Sequence, residues 1–127
     1  MPTREQNKIV SLYNRSVGAP RLYFPAPRGR LEAPTDPGVY VIYGPKGEVC
    51  HVGRTPKAAR GLKQRLANHL HGQSSYTWKA FNKDGARLRN GSSYSYIVVE
   101  DSRQRALLEA YAIGSLCPSH LGLSEAQ

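Results

Sequence analysis

Tyr40 and His51 place a phenol and an imidazole in two neighbouring extended runs, Val39-Tyr40-Val41-Ile42-Tyr43 and Glu48-Val49-Cys50-His51-Val52-Gly53. Between the runs, Gly44-Pro45-Lys46-Gly47 has turn chemistry, since Gly admits positive φ and Pro fixes φ near its turn value. A symmetric hairpin closed by those four residues predicts Tyr43 opposite Glu48 and Tyr40 opposite His51. Cross-strand partners hold their Cβ atoms about 5 Å apart, so the two rings would project side by side from one face. Neutral imidazole accepts a proton near pH 7, and a phenol with pKa near 10 does so only beside a cation. Two readings of the pair stay open: acid–base work, or aromatic packing that only stabilises a hairpin.

A carboxylate and a guanidinium stand where such a pair could use them. On a helix near the C-terminus, Glu109 has Ala106, Ala112, Ile113 and Leu116 as its neighbours three, four and seven positions away. A carboxylate on a face otherwise built for packing is costly unless paired or metal-bound. The structural alternative pairs it with Arg105, one turn earlier. On an earlier helix Arg65 and His69 lie one turn apart beside a leucine stripe, where the helix meets the sheet, and His71 falls on the outer surface. Residues 49–83 hold no Asp or Glu, yet contain Arg54, Lys57, Arg60, Lys63, Arg65, Lys79 and Lys83. A solvated helix face normally mixes signs to gain i,i+4 pairs, which this stretch cannot do, so a surface that tracks phosphates accounts for it better.

The whole chain shares that bias. Eighteen Lys and Arg against nine Asp and Glu give a formal charge of +9 over 127 residues, which favours anionic partners and allows one domain. No apolar run approaches the length of a bilayer span and the N-terminus has no hydrophobic signal region, so a cytoplasmic protein without membrane contact is expected. Cys50 and Cys117 form no CxxC motif, which argues against a disulfide framework. A zinc site from Cys50, His51, Cys117 and His120 is disfavoured because adjacent strand residues point to opposite faces.

These residues need elements to hold them. Ile9, Val10, Leu12 and Tyr13 predict a short helix over 3–16. Five prolines between residues 18 and 38 predict an extended, wrapping segment. The hairpin over 39–53 follows, then a loop, then a helix over about 60–71 marked by Leu62, Leu66 and Leu70 and closed by Gly72. Residues 72–91 are polar with Trp78 and Phe81 as anchors. A third strand, Ser93-Tyr94-Ser95-Tyr96-Ile97-Val98-Val99, precedes a helix capped by Asp101 or Ser102 and ending near Leu116, before Pro118. The expectation is a small single α/β domain with a three-stranded, largely antiparallel sheet flanked by helices. It divides into an N-terminal helix and Pro-rich extension (1–37), the domain proper (38–118) and an uninformative tail (119–127).

In this order the residues resemble the GIY-YIG nuclease superfamily over roughly residues 37–118. Gly38-Val39-Tyr40 stands for the first signature tripeptide and His51-Val52-Gly53 for the second. Arg54 matches the basic residue that often follows. Arg65 and His69 match the helix Arg and the aromatic or His one turn on, and Glu109 the acidic metal ligand. Two departures are visible: His51 replaces the usual Tyr, and Pro118-Ser119-His120-Leu121 lacks the Asn often found near the C-terminus. The resemblance implies a metal-dependent endonuclease that hydrolyses DNA phosphodiester bonds with one Mg²⁺ or Mn²⁺ on Glu109. Arg65 and Arg54 would hold the scissile phosphate, and Lys57, Arg60 and Lys63 the flanking backbone. His51 would be the general base with Tyr40 as its positioning partner, while His69 binds phosphate or orients Tyr40. Gly38 and Gly53 would be structural. The alternative is a catalytically inactive nucleic-acid-binding module of the same fold, and a weaker third reading is a basic structural protein of a larger complex. Specificity would come from the N-terminal extension, the segment 72–91, a homo-oligomer or a protein partner.

Overall fold

The computed structural model describes residues 1–56, 60–72, 76 and 85–121. Its first helix, α1 (Arg4–Val17), starts at a capping box: Thr3 Oγ1 accepts from the Gln6 amide at 3.0 Å, and the Thr3 amide donates to Gln6 Oε1 at 2.7 Å. Ile9 and Leu12 turn inward and the helix stops at Gly18. Four strands follow in the order β1 (Leu22–Tyr23), β2 (Gly38–Tyr43), β3 (Val49–Arg54) and β4 (Ser93–Val98), with α2 (Gly61–Leu70) after β3. A 3₁₀ turn covers Gly85–Arg89, and α3 (Ser102–Leu116) closes the domain, capped by Asp101 accepting from the Gln104 amide at 2.9 Å.

All strand pairings are antiparallel, in the spatial order β1-β4-β2-β3. Among the described residues the sheet has four strands, which corrects the predicted count of three. β1 adds two residues to the edge of β4, Leu22 opposite Tyr94 and Tyr23 opposite Ser93. Two residues between Pro20 and Pro25 are too few for alternation to register as a pattern, and proline confines such a piece to an edge.

Central strand β2 is buried along its whole length, and its alternation feeds two cores. Val39, Val41 and Tyr43 join Val52, Ile97, Leu108 and Ala112 against α1 and α3. Tyr40 and Ile42 face the other way, onto Leu62, Leu66 and Leu70 of α2, with Phe24, Leu31, Leu88 and Tyr94 around them. Full burial of Leu62 and Leu66 is worth about 1.5–3 kcal/mol each, which fixes α2 across that face. Arg65 and His69, each three positions after a buried leucine (Leu62 and Leu66), are thereby aimed at β2.

The predicted hairpin register is also corrected. Tyr40 pairs with Gly53 and Ile42 with His51, while Tyr43 pairs with Val49. The loop closes between the Gly44 amide and the Glu48 carbonyl (2.8 Å) rather than between Tyr43 and Glu48, with Gly47 at φ +81°. Cys50 is then left over as a bulge. The bulge brings Cys50 against the same cluster as Tyr40, so strict alternation does not hold at Cys50-His51. No helix among the described residues is long and apolar enough to cross a membrane.

Candidate active site

Tyr40 is fully buried between β2 and α2, and its hydroxyl lies 2.8 Å from His69 Nε2. Arg65, one turn before His69, is close enough to hydrogen-bond the same hydroxyl. Burial dominates the phenol and pushes its pKa up to about 12, with Arg65 pulling the other way and the Glu109 carboxylate adding slightly to the rise. At neutral pH the phenol keeps its proton.

His51 sits on the same face, its ring 6.0 Å from Tyr40 and 5.2 Å from His69 between centroids. Tyr76 stacks on it at 5.1 Å and 11°, and His120 lies 5.2 Å away on another side. Enclosed by these rings, His51 is 5% exposed, and among the described residues neither ring nitrogen has a hydrogen-bond partner of good geometry. Burial first, then the neighbouring His120 and Arg65, depress its pKa to about 3. His69, wholly buried, is also held well below the usual range, by burial and then by His51 and Arg65. Both imidazoles are therefore neutral at physiological pH, as a proton acceptor must be. Such a depressed pKa also makes His51 a weaker base than its unperturbed value suggests.

The two signature glycines are explained by close approach. A Cβ at Gly53 would overlap the Tyr40 hydroxyl and ring, so the phenol lies across β3 only because residue 53 has no side chain. At Gly38 a Cβ would meet the Ile97 carbonyl and the Leu62 side chain.

Glu109 projects from α3 toward the end of β3, its side chain 20% exposed, and accepts from Arg54 Nη1 at 2.5 Å. The alternative pairing with Arg105 is overturned. Arg105 is buried and donates instead to the carbonyls of Thr55 (3.2 Å), Val99 (3.0 Å) and Glu100 (2.8 Å), tying α3 to the strand ends. Arg65 Nε is buried without a partner among the described residues. Arg60 and Lys63 are exposed at the start of α2, and His71 is exposed past its end. Lys57, Trp78, Lys79, Phe81 and Lys83 lie outside the described residues.

No family model matches the chain. Among curated proteins it is 33% identical over 88 residues to UvrABC system protein C of Pseudothermotoga lettingae, and 33% identical over 85 residues to that of Mesorhizobium japonicum. These matches cover 69% and 67% of this chain but only 14% and 11% of the relatives' length. Among solved structures it is similar to the GIY-YIG N-terminal endonuclease domain of UvrC from Thermotoga maritima bound to magnesium, at TM-score 0.51 and 23% identity. That likeness covers 94% of this chain and 97% of the other. The chain belongs to the GIY-YIG superfamily.

On this GIY-YIG fold, the first tripeptide supplies Tyr40 from the central strand and the second supplies His51 and the opening at Gly53 from the edge strand. Tyr40, His51, Arg65 and His69 gather on the α2 side, and Arg54 and Glu109 meet at the end of β3. Two members of the cluster escaped the sequence reading. Tyr76 lies in the segment read as polar with Trp78 and Phe81 as its anchors. His120 lies in the tail read as uninformative, yet its amide donates to the Cys50 carbonyl at 2.9 Å and it bridges in parallel to His51. A histidine two residues after Pro118 was the one available signal. Among the described residues no group of three His, Cys, Asp or Glu could hold a metal ion, and both cysteines are free. A lone, partly exposed carboxylate suits Mg²⁺, a hard cation that keeps most of its waters and takes one or two carboxylates plus substrate phosphate.

Proposed function

We propose that this domain is an endonuclease that hydrolyses phosphodiester bonds in DNA with a single divalent cation, Mg²⁺ or Mn²⁺, held by Glu109. The observation that carries the reading is the convergence of a buried, hydrogen-bonded Tyr40, a neutral His51 and Arg65 on one face, with Glu109 within electrostatic reach of Tyr40. The similar Thermotoga maritima domain, an endonuclease domain bound to magnesium as its catalytic divalent cation, supports the same reading.

The roles follow from charge and position. Arg65, whose Nε has no partner among the described residues, would grip the scissile phosphate and offset the charge that develops on it. Arg60 and Lys63, exposed on the first turn of α2, would track the flanking backbone, together with Lys57. His51 would accept the proton of the attacking water. An arriving phosphate anion favours the imidazolium and so raises the His51 pKa toward the range where it works as a base. Tyr40 would position that water through its hydroxyl, with His69 orienting the phenol. The cation would act as a Lewis acid on the phosphate oxygens. Specificity for one DNA structure, and any protein partner or homo-oligomer that supplies it, would come from outside this cluster.

One observation favours the inactive binding module: Tyr40 is 0% and His51 5% exposed, so a water reaches neither without movement of Tyr76 or His120. Supercoiled plasmid separates the readings. Nicking that requires Mg²⁺ and is lost in Glu109→Ala, with DNA binding retained, is the expected result. Binding without nicking by the unaltered chain would leave the module reading, and nicking by Glu109→Ala at the unaltered rate would remove Glu109 from the site.

A further inference from the structure

We infer that Arg54 and Glu109 form a displaceable pair that couples the cation to the nucleic acid. The inference rests on the reading of Glu109 as the metal ligand given under Proposed function. While the pair is closed, Arg54 holds the carboxylate oxygen that a cation needs, and Glu109 holds the guanidinium that a phosphate needs. The contact runs from Nη1 to Oε1, so a cation that takes Oε1, or a phosphate that takes Nη1, must break it. Whichever binds first meets the cost of separation, and the second binds without it. Such a shared cost is a coupling free energy, and by linkage it raises both affinities by one factor.

The geometry suits this exchange. Arg54 is the last residue of β3, directly after the Gly53 that accommodates the Tyr40 hydroxyl, so a released guanidinium stays beside the catalytic cluster. Its side chain is 45% exposed and carries four rotatable bonds, whereas Glu109 is 20% exposed on a helix. Arg54 is therefore the partner that swings. A purely structural ion pair at this exposure would contribute little, about 0–1 kcal/mol, and would leave the two ligands independent.

The test is a double-mutant cycle in binding, read without turnover. Fluorescence anisotropy with a short duplex in EDTA, at fixed salt, compares the unaltered chain with Arg54→Gln, Glu109→Gln and the double variant. Arg54→Gln loses the phosphate contact and leaves Glu109 an unpaired anion, so on its own it should lower DNA affinity. Glu109→Gln should tighten binding by roughly fivefold or more, the low end of measured site couplings, and the double variant should lose that gain. Mn²⁺ binding followed by electron paramagnetic resonance should tighten several-fold in Arg54→Gln. In the unaltered chain, uncleaved DNA and Mn²⁺ should raise each other's affinity by the same factor, and Arg54→Lys should keep part of it. If the gain from Glu109→Gln persists in the double variant, the effects are plain charge removal and the displaceable pair is wrong. If instead Mn²⁺ binds Glu109→Gln as tightly as the unaltered chain, the metal assignment itself fails. Circular dichroism of each variant confirms that both near-isosteric substitutions leave the fold in place.

Discussion

Acidification should destabilise this domain well before its carboxylates titrate. His51 and His69 are 5% and 0% exposed and neutral in the fold, with pKa values of about 3 and well below the ordinary range. In the unfolded chain both return to about 6.5, so below that pH the unfolded state binds protons that the folded state refuses. The sign is therefore fixed: stability is complete above pH 6.5 and falls as the pH drops toward the folded values. Each histidine removes about 1.4 kcal/mol per pH unit in that window, so the two together remove about 4 kcal/mol by pH 5. Against a usual total of about 5–15 kcal/mol, that is a large share. Glu5, held down by Arg103, acts below its ordinary value of 4.5 and so outside the window. Urea unfolding followed by circular dichroism at pH 7.5, 6.5, 5.5 and 5.0, in EDTA, measures the slope. His51→Gln and His69→Gln should each remove about half of it. A midpoint that stays constant from pH 7.5 to 5, or a slope that survives both substitutions, would refute the buried-neutral arrangement.

The same depressed ionisation bears on kinetics. If His51 is the base, burial keeps its limb at or below about pH 6.5 even with phosphate bound, and single-turnover cleavage should be flat from about pH 7 to 8, with His51→Ala costing on the order of 10²–10⁴-fold; a limb above pH 7 would place the base elsewhere. Gly53→Ala should cost about 1–3 kcal/mol by overpacking against the Tyr40 hydroxyl and reduce cleavage with it, so an unchanged melting temperature and rate would remove the close approach from the argument. If α2 tracks the phosphate backbone, Arg60→Gln and Lys63→Gln should each flatten the log–log salt dependence of duplex binding by about 0.9, and an unaltered slope would put the DNA on another face.

The larger elements were legible because each carried a pattern of its own length. The leucines of α2 recur four residues apart over three turns, and Asp101 and Pro118 bracket α3. β1 carried no pattern, because two residues show no period. Tyr76 and His120 were illegible for a different reason. Tyr76 lies 25 residues from His51 in sequence, and His120 reaches His51 through the Ser119 and His120 amides bonded to the Val49 and Cys50 carbonyls. Local spacing holds no record of such contacts.

The register of the hairpin was wrong and yet the shared face of Tyr40 and His51 was right, and the reason is parity. Closing the loop between Gly44 and Glu48 moves the pairing by one residue from the symmetric turn, and the Cys50 bulge moves it by one more. A strand presents alternate residues to opposite faces, so a slip of one would have turned His51 away from α2 and a slip of two returns it. Tyr40 and His51 therefore meet diagonally, at 6.0 Å between rings, instead of directly across. That diagonal leaves the position opposite Tyr40 to Gly53, the residue whose missing side chain the phenol requires. The bulge thus does more than end the hairpin: it lets the glycine of the second tripeptide lie beneath Tyr40 while His51 stands beside it.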